Sequence, residues 1–306
     1  RGMGHLLSPV RDRARKRGRK RHAAVPDDAP PVPARVDAIT VPATVAVPEA
    51  PVRSNSYAVA NQKGGVGKTT ITLVLGAALA RRGRRVLVVD LDPQGWATRV
   101  LGASSDASPT VADVLLEPDT YSLADAIIAT GWGVHLAPSE LALRSADLGV
   151  VTGEGPVLAQ QLTTVAEYDF VLMDCPPSLG ALTIEALSAA SRVLTVTEPA
   201  FFAREVIEEL FDTQEYIAAE YNPRLEIAGV ILNRVEATAE HKRCVAEVEG
   251  AFRERVWRPH IPKRAVLPEA MRKGVPPQSL RTQLAEEMTQ LFDELAERLE
   301  RSRVDA

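Results

Sequence analysis

A ten-residue loop, Asn61-Gln62-Lys63-Gly64-Gly65-Val66-Gly67-Lys68-Thr69-Thr70, constrains the fold of this chain more than any other segment. It follows a short apolar run, Tyr57-Ala58-Val59-Ala60, and precedes a stretch to Arg82 that is rich in Ala and Leu at helical spacing and closed by Gly83. Buried strand, glycine loop and helix, in that order, make a phosphate-binding loop. Gly64, Gly65 and Gly67 let the backbone N–H groups around Val66 turn inward, and the helix N-terminus, with Thr70 in its first turn, adds partial positive charge there. Lys68 is then placed for the β- and γ-phosphates of a nucleotide, and the Thr69 hydroxyl for Mg2+. The loop departs from the plain pattern at Gln62, where the first glycine is expected. It also carries an additional lysine, Lys63, near its start.

Beyond the loop, strand-like and helix-like segments alternate. Apolar runs at 57–60, 86–90, 133–137, 170–174, 192–197 and 227–232 predict strands; helices are predicted at about 68–82, 157–166, 180–190, 203–219, 240–254 and 283–301. Such alternation demands a doubly wound, mostly parallel α/β sheet. Ligands of these sheets sit at the carboxyl ends of the strands, where the loop, Asp90, Asp92 and Asp174 fall.

Composition divides the chain unevenly. Residues 1–22 hold nine Lys or Arg against one acid, Asp12, so a net charge of −4 overall conceals an arm at +8 and a remainder at −12. Such an arm suits a polyanion such as DNA; a solubilising tail or an appended leader are the blander alternatives. Residues 23–54 are rich in Pro, Ala and Val and read as an extended linker, giving with the arm a disordered N-terminal extension before a domain at 55–301. The two cysteines, Cys175 and Cys244, lie far apart and in no metal-ligand spacing. No apolar run is long enough for a membrane span, so the expectation is a cytoplasmic protein.

The motif Lys63-Gly-Gly-Val-Gly-Lys68-Thr-Thr resembles the deviant Walker A loop of the ParA/MinD group of P-loop ATPases. The likeness continues through Val86-Leu-Val-Val-Asp90-Leu-Asp92-Pro-Gln-Gly95 and Phe170-Val-Leu-Met-Asp174-Cys-Pro-Pro-Ser178, and spans roughly residues 56–300. The last two motifs are similar to those of the ParA, or Soj-like, DNA-partition branch. The resemblance implies ATP and Mg2+ as cofactors, with Asp174 and Asp90 supporting Mg2+ alongside Thr69 and Asp92 orienting the attacking water. It makes Lys63 a signature lysine that reaches the partner's phosphates across an ATP-dependent homodimer. It further implies nonspecific DNA binding, a ParB-type centromere-binding partner, slow partner-stimulated hydrolysis, and a nucleoid-associated location. Asn233 and Pro262 match places where relatives hold adenine. Lys242, Arg243, Lys263, Arg264, Arg272 and Lys273 are candidate DNA contacts, although Ile261-Pro262-Lys263-Arg264 departs from the family's Ile-Pro-Arg-Asn.

Two alternatives share the nucleotide switch: positioning of a nongenomic cargo, and a MinD-like membrane-associated role in cell division. The last predicted helix argues against the second. Its apolar stripe of Leu284, Met288, Leu291, Leu295 and Leu299 is opposed by Glu286, Glu287, Asp293, Glu294, Glu297 and Glu300, whereas a membrane-surface helix carries Lys and Arg there. Chromosomal and plasmid DNA are not distinguished by these motifs.

Overall fold

The computed structural model describes residues 55–103, 109–149 and 156–302, so the basic arm and the linker lie outside the described residues. Strand β1 (Ser56–Ala60) leads into α1 (Lys68–Arg81), β2 (Val86–Asp90), α2 (Trp96–Val100) and α3 (Val111–Leu116). There follow β3 (Ile128–Ala129), β4 (His135–Ala137), α4 (Leu143–Gly149), α5 (Val157–Gln161), β5 (Phe170–Asp174) and α6 (Ala181–Ala189). The chain ends with β6 (Arg192–Thr197), α7 (Ala203–Glu220), β7 (Glu226–Leu232), α8 (Ala239–Phe252), β8 (Val256–Trp257), α9 (Val266–Lys273) and α10 (Gln283–Arg301).

The eight strands form one sheet in the order β3-β4-β2-β5-β1-β6-β7-β8, parallel throughout except for the β3–β4 pair. β1 lies between β5 and β6, and all five of its residues are buried, which is why its sequence is apolar without alternation. The carboxyl ends of β1, β2 and β5 therefore meet at one edge, where the loop and the aspartates stand.

Several boundaries differ from the sequence expectation. The helix expected at 157–166 is α5 followed by a 3-10 turn at Leu162–Val165, and the strand expected at 133–137 is confined to His135–Ala137. The segment after Pro262 contains α9, whose Pro268 is tolerated because it sits in the first turn, where its missing N–H would have no intrahelical partner. β8 is only two residues long, too short for periodicity to reveal. It is nonetheless specified: a Cβ on Gly229 of β7 would meet Trp257 Nε1 at 2.1 Å, so a glycine there makes room for the indole, which donates to the Ala228 carbonyl at 3.0 Å.

The last helix packs as its stripe requires. Met288, Leu295 and Leu299 are buried, with Leu284 and Leu291 packed against the core. Part of the acidic face is also used: Glu300 bonds Arg82 at 2.8 Å and Arg84 at 2.5 Å, and Asp293 bonds Arg81 at 2.5 Å, fastening α10 beside the end of α1. Among the described residues no helix is long and apolar enough to cross a membrane.

Candidate nucleotide site

The loop is shaped by two left-handed glycines. Gly65 has φ 78° and Gly67, at the N-cap of α1, has φ 97°. A side chain at Gly67 would be strained and would also collide, since a Cβ there would lie 2.4 Å from Asn233 Nδ2. Asn61 braces the start of the loop, donating to the Val196 carbonyl of β6 at 2.7 Å and accepting from the Lys63 N–H at 2.8 Å.

The two lysines of the loop have different environments. Lys68 is buried and its ammonium donates to the carbonyls of Asn61 at 3.0 Å and Lys63 at 3.5 Å. Burial lowers its pKa, while the charges of Asp174, Cys175 and Asp92 act in the opposite sense. Lys63 is exposed at the open end of the loop.

Asp90 and Asp174 are fully buried register partners on β2 and β5. Burial pushes Asp174 up to about 8, and the neighbouring Asp90 adds to the rise; hydrogen bonding from Thr69 and the charge of Lys68 pull it down. Asp90 is raised to about 6, again mainly by burial, against hydrogen bonds from Thr98. Thr98 of α2 donates both its N–H (2.8 Å) and its hydroxyl (2.7 Å) to Asp90 Oδ2. Asp92 accepts from the Gln94 N–H at 2.8 Å and is partly exposed, so one of its oxygens shapes the turn before Gly95.

This arrangement fits a magnesium ion bound with a nucleotide. Asp174 Oδ2 is a buried acceptor without a hydrogen-bond partner, in a site that also contains the Thr69 hydroxyl. Among the described residues no group of three or more His, Cys, Asp or Glu could hold a metal alone.

A pocket of about 350 Å³ adjoins the loop, lined by Thr70, Asn233, Arg234, His241, Pro262 and Arg264 among others. Residues distant in sequence meet there because 261–263 runs beside 233–235: the Val235 N–H donates to the Ile261 carbonyl at 2.9 Å and the Lys263 N–H to Val235 at 3.1 Å. Asn233 lines the pocket while its amide holds the loop, donating to the Val66 carbonyl at 2.8 Å.

Arg234 was not evident as a functional residue in the sequence. Its guanidinium donates to the Gly65 carbonyl at 2.7 Å and to Glu198, just beyond β6, at 2.5 Å, tying the loop to two strand ends. The sole sequence signal is its position directly after β7, beside Asn233.

The candidate DNA residues fall in three places. Lys263 and Arg264 border the pocket beside the loop, with Lys263 bonded to Glu236 at 3.0 Å. Lys242 and Arg243 are exposed on α8, where Arg243 pairs with Glu240 at 2.9 Å. Arg272 and Lys273 close α9, where cations suit the helix C-terminus.

A parallel sheet with a glycine loop entering a helix at the end of its inner strand, a buried loop lysine and strand-terminal aspartates defines a P-loop nucleotide-binding domain. The AAA_31 family model, described as an AAA domain, matches residues 54–227. Soj of Bacillus subtilis, a sporulation initiation inhibitor protein, is 38% identical over 225 residues, covering 72% of this chain and 88% of Soj. The chromosome partitioning protein ParA of Caulobacter vibrioides is 37% identical over 227 residues, covering 72% and 84%. A Mycobacterium smegmatis structure described as cobyrinic acid a,c-diamide synthase, with ATP analogue and magnesium, superposes with a TM-score of 0.69 at 31% identity, covering 81% of this chain and 94% of that one. The chain belongs to the Soj/ParA family of ParA/MinD-type P-loop ATPases.

Proposed function

We propose that this ATPase is a partition ATPase that binds ATP with Mg2+, dimerises in that state, binds DNA nonspecifically and segregates plasmid or chromosomal DNA with a ParB-type partner. The observation that carries the reading is the contrast within one loop: Lys68 is turned into its own site, whereas Lys63 is exposed beside it.

Each residue then has a task. The backbone N–H groups of Gly64 to Thr69 and the Lys68 ammonium bind the phosphates, and burial of Lys68 strengthens its attraction for them by excluding water. Magnesium, when bound, neutralises developing phosphate charge; Thr69 and Asp174 would hold it, with Asp90 in support. Asp92 positions the attacking water with its remaining carboxylate oxygen. Lys63 reaches a second copy, contributing positive charge in trans as an arginine finger does. Asn233 and Pro262 border the base, and Lys242, Arg243, Lys263, Arg264, Arg272 and Lys273 supply phosphate-binding charge on the DNA side. A nucleoid-associated location follows from such binding.

The test is DNA retardation with the full chain and with Lys68→Ala, with and without ATP and Mg2+. Retardation that needs ATP in the wild type and is lost in the variant supports the reading; ATP-dependent retardation that survives Lys68→Ala overturns it.

A further inference from the structure

A second concavity, of about 520 Å³, opens between α2 and α9, lined by Trp96, Arg99, Val100, Met271, Arg272 and Lys273 with flanking glycines. Its floor depends on close backbone approach. Gly274 ends α9 with φ 63°, and a Cβ there would stand 3.1 Å from the Val100 carbonyl. Trp132 Nε1 donates to the Gly274 carbonyl at 3.0 Å and fixes that corner.

The walls are cationic and aromatic. Trp96 is 55% exposed, whereas Trp132 and Trp257 are 5% and 1% exposed. The Arg99 guanidinium lies 4.8 Å from the Trp96 ring centroid and donates to the Gln94 carbonyl at 2.5 Å, so neither side chain hangs loosely in solvent. Arg272 and Lys273 stand on the opposite wall; Lys273 pairs with Glu269 at 2.6 Å, an exposed contact of little worth that phosphate can replace. Among the described residues the groove is lined by no acidic side chain, Glu269 meeting it only through Lys273. Through Thr98, α2 is anchored to Asp90, so Trp96 and Arg99 are presented from a fixed element.

We propose that this groove seats the phosphodiester backbone of duplex DNA, with Arg99, Arg272 and Lys273 on phosphates and the Trp96 indole against the sugar wall. Charge complementarity selects the occupant: cations clustered around an exposed aromatic match a polyanion with apolar sugars. This assignment rests on the nucleic-acid reading above and adds α2 to the contact surface.

Trp96 supplies its own reporter, because it is the one exposed tryptophan among three. Tryptophan emission of the full chain is followed as a duplex oligonucleotide is added with ATP and Mg2+ present, beside retardation of the same duplex. Saturable quenching in the wild type is expected, absent in Trp96→Phe; Arg99→Glu with Arg272→Glu should weaken binding about tenfold or more and flatten its salt dependence. Retardation with unchanged Trp96 emission would overturn the groove while leaving DNA binding by the ATPase intact. Loss of retardation as well would instead strike the underlying reading. Quenching complete with ATP alone would give the groove to a second copy of the chain, and quenching by an acidic peptide but not by duplex would give it to a protein; both overturn the proposal.

Discussion

Asp90 and Asp174 are direct register partners on neighbouring parallel strands, both fully buried, so two carboxylates are held side by side out of water. Asp90 has a structural use, accepting from Thr98, whereas Asp174 Oδ2 has no hydrogen-bond partner. Burying the pair is costly without a cation, in keeping with the Mg2+ role proposed for it.

Replacing one member should therefore stabilise the protein and disable it. Asp174→Asn is expected to raise the melting temperature without nucleotide or Mg2+ by about 4–8 °C, for a gain on the order of 2 kcal/mol. Mg2+-dependent ATP hydrolysis should fall by about a hundredfold or more. Calorimetry and a phosphate-release assay measure the two; a destabilised variant would show that the pair is structural.

A third buried acid gives a pH signature away from the site. Glu185 of α6 accepts from the N–H groups of Val157 at 3.3 Å and Leu158 at 2.9 Å, and burial pushes it up to about 7. Its folded pKa lies above its unfolded value of 4.5, so the folded state holds the proton more tightly. Stability from this group is present below pH about 4.5 and is lost as pH rises to about 7, by on the order of 3 kcal/mol at most. Glu185→Gln should remove that part of the slope in denaturant titrations across this range. An unchanged slope would contradict the assignment.

The clamp at Arg234 should act on nucleotide affinity. Arg234→Ala removes the links from the loop carbonyl of Gly65 to Glu198. Affinity for a fluorescent ATP analogue is expected to fall about five- to tenfold, about 1 kcal/mol, the net scale of one ordinary hydrogen bond at an exposed site. Glu198→Gln, which keeps an acceptor, should lose less. Equal affinities in the wild type and Arg234→Ala would show that the link does not support nucleotide binding.

The phosphate loop was legible because its information is local: a fully buried strand leaves an apolar run, and a tight turn onto a helix needs glycines at Gly65 and Gly67. The inner strands and α10 were legible for the same reason. The Arg234–Glu198 link was not, since it joins the ends of β7 and β6, which only strand order makes neighbours. α2 and β8 are shorter than the window in which periodicity can be read. The groove between α2 and α9 unites segments about 175 residues apart and has no motif of its own.

Lys63 is proposed to act in a neighbouring copy while Lys68 acts in its own. Sedimentation velocity of the wild type and Lys63→Ala, with ATP and Mg2+ and without nucleotide, tests it most directly, with ATP-analogue affinity measured on the same samples. The wild type should pass from monomer to dimer only with ATP, and Lys63→Ala should stay monomeric while keeping nucleotide affinity within about threefold. A Lys63→Ala protein that dimerises with ATP as the wild type does would contradict a role for Lys63 across the dimer.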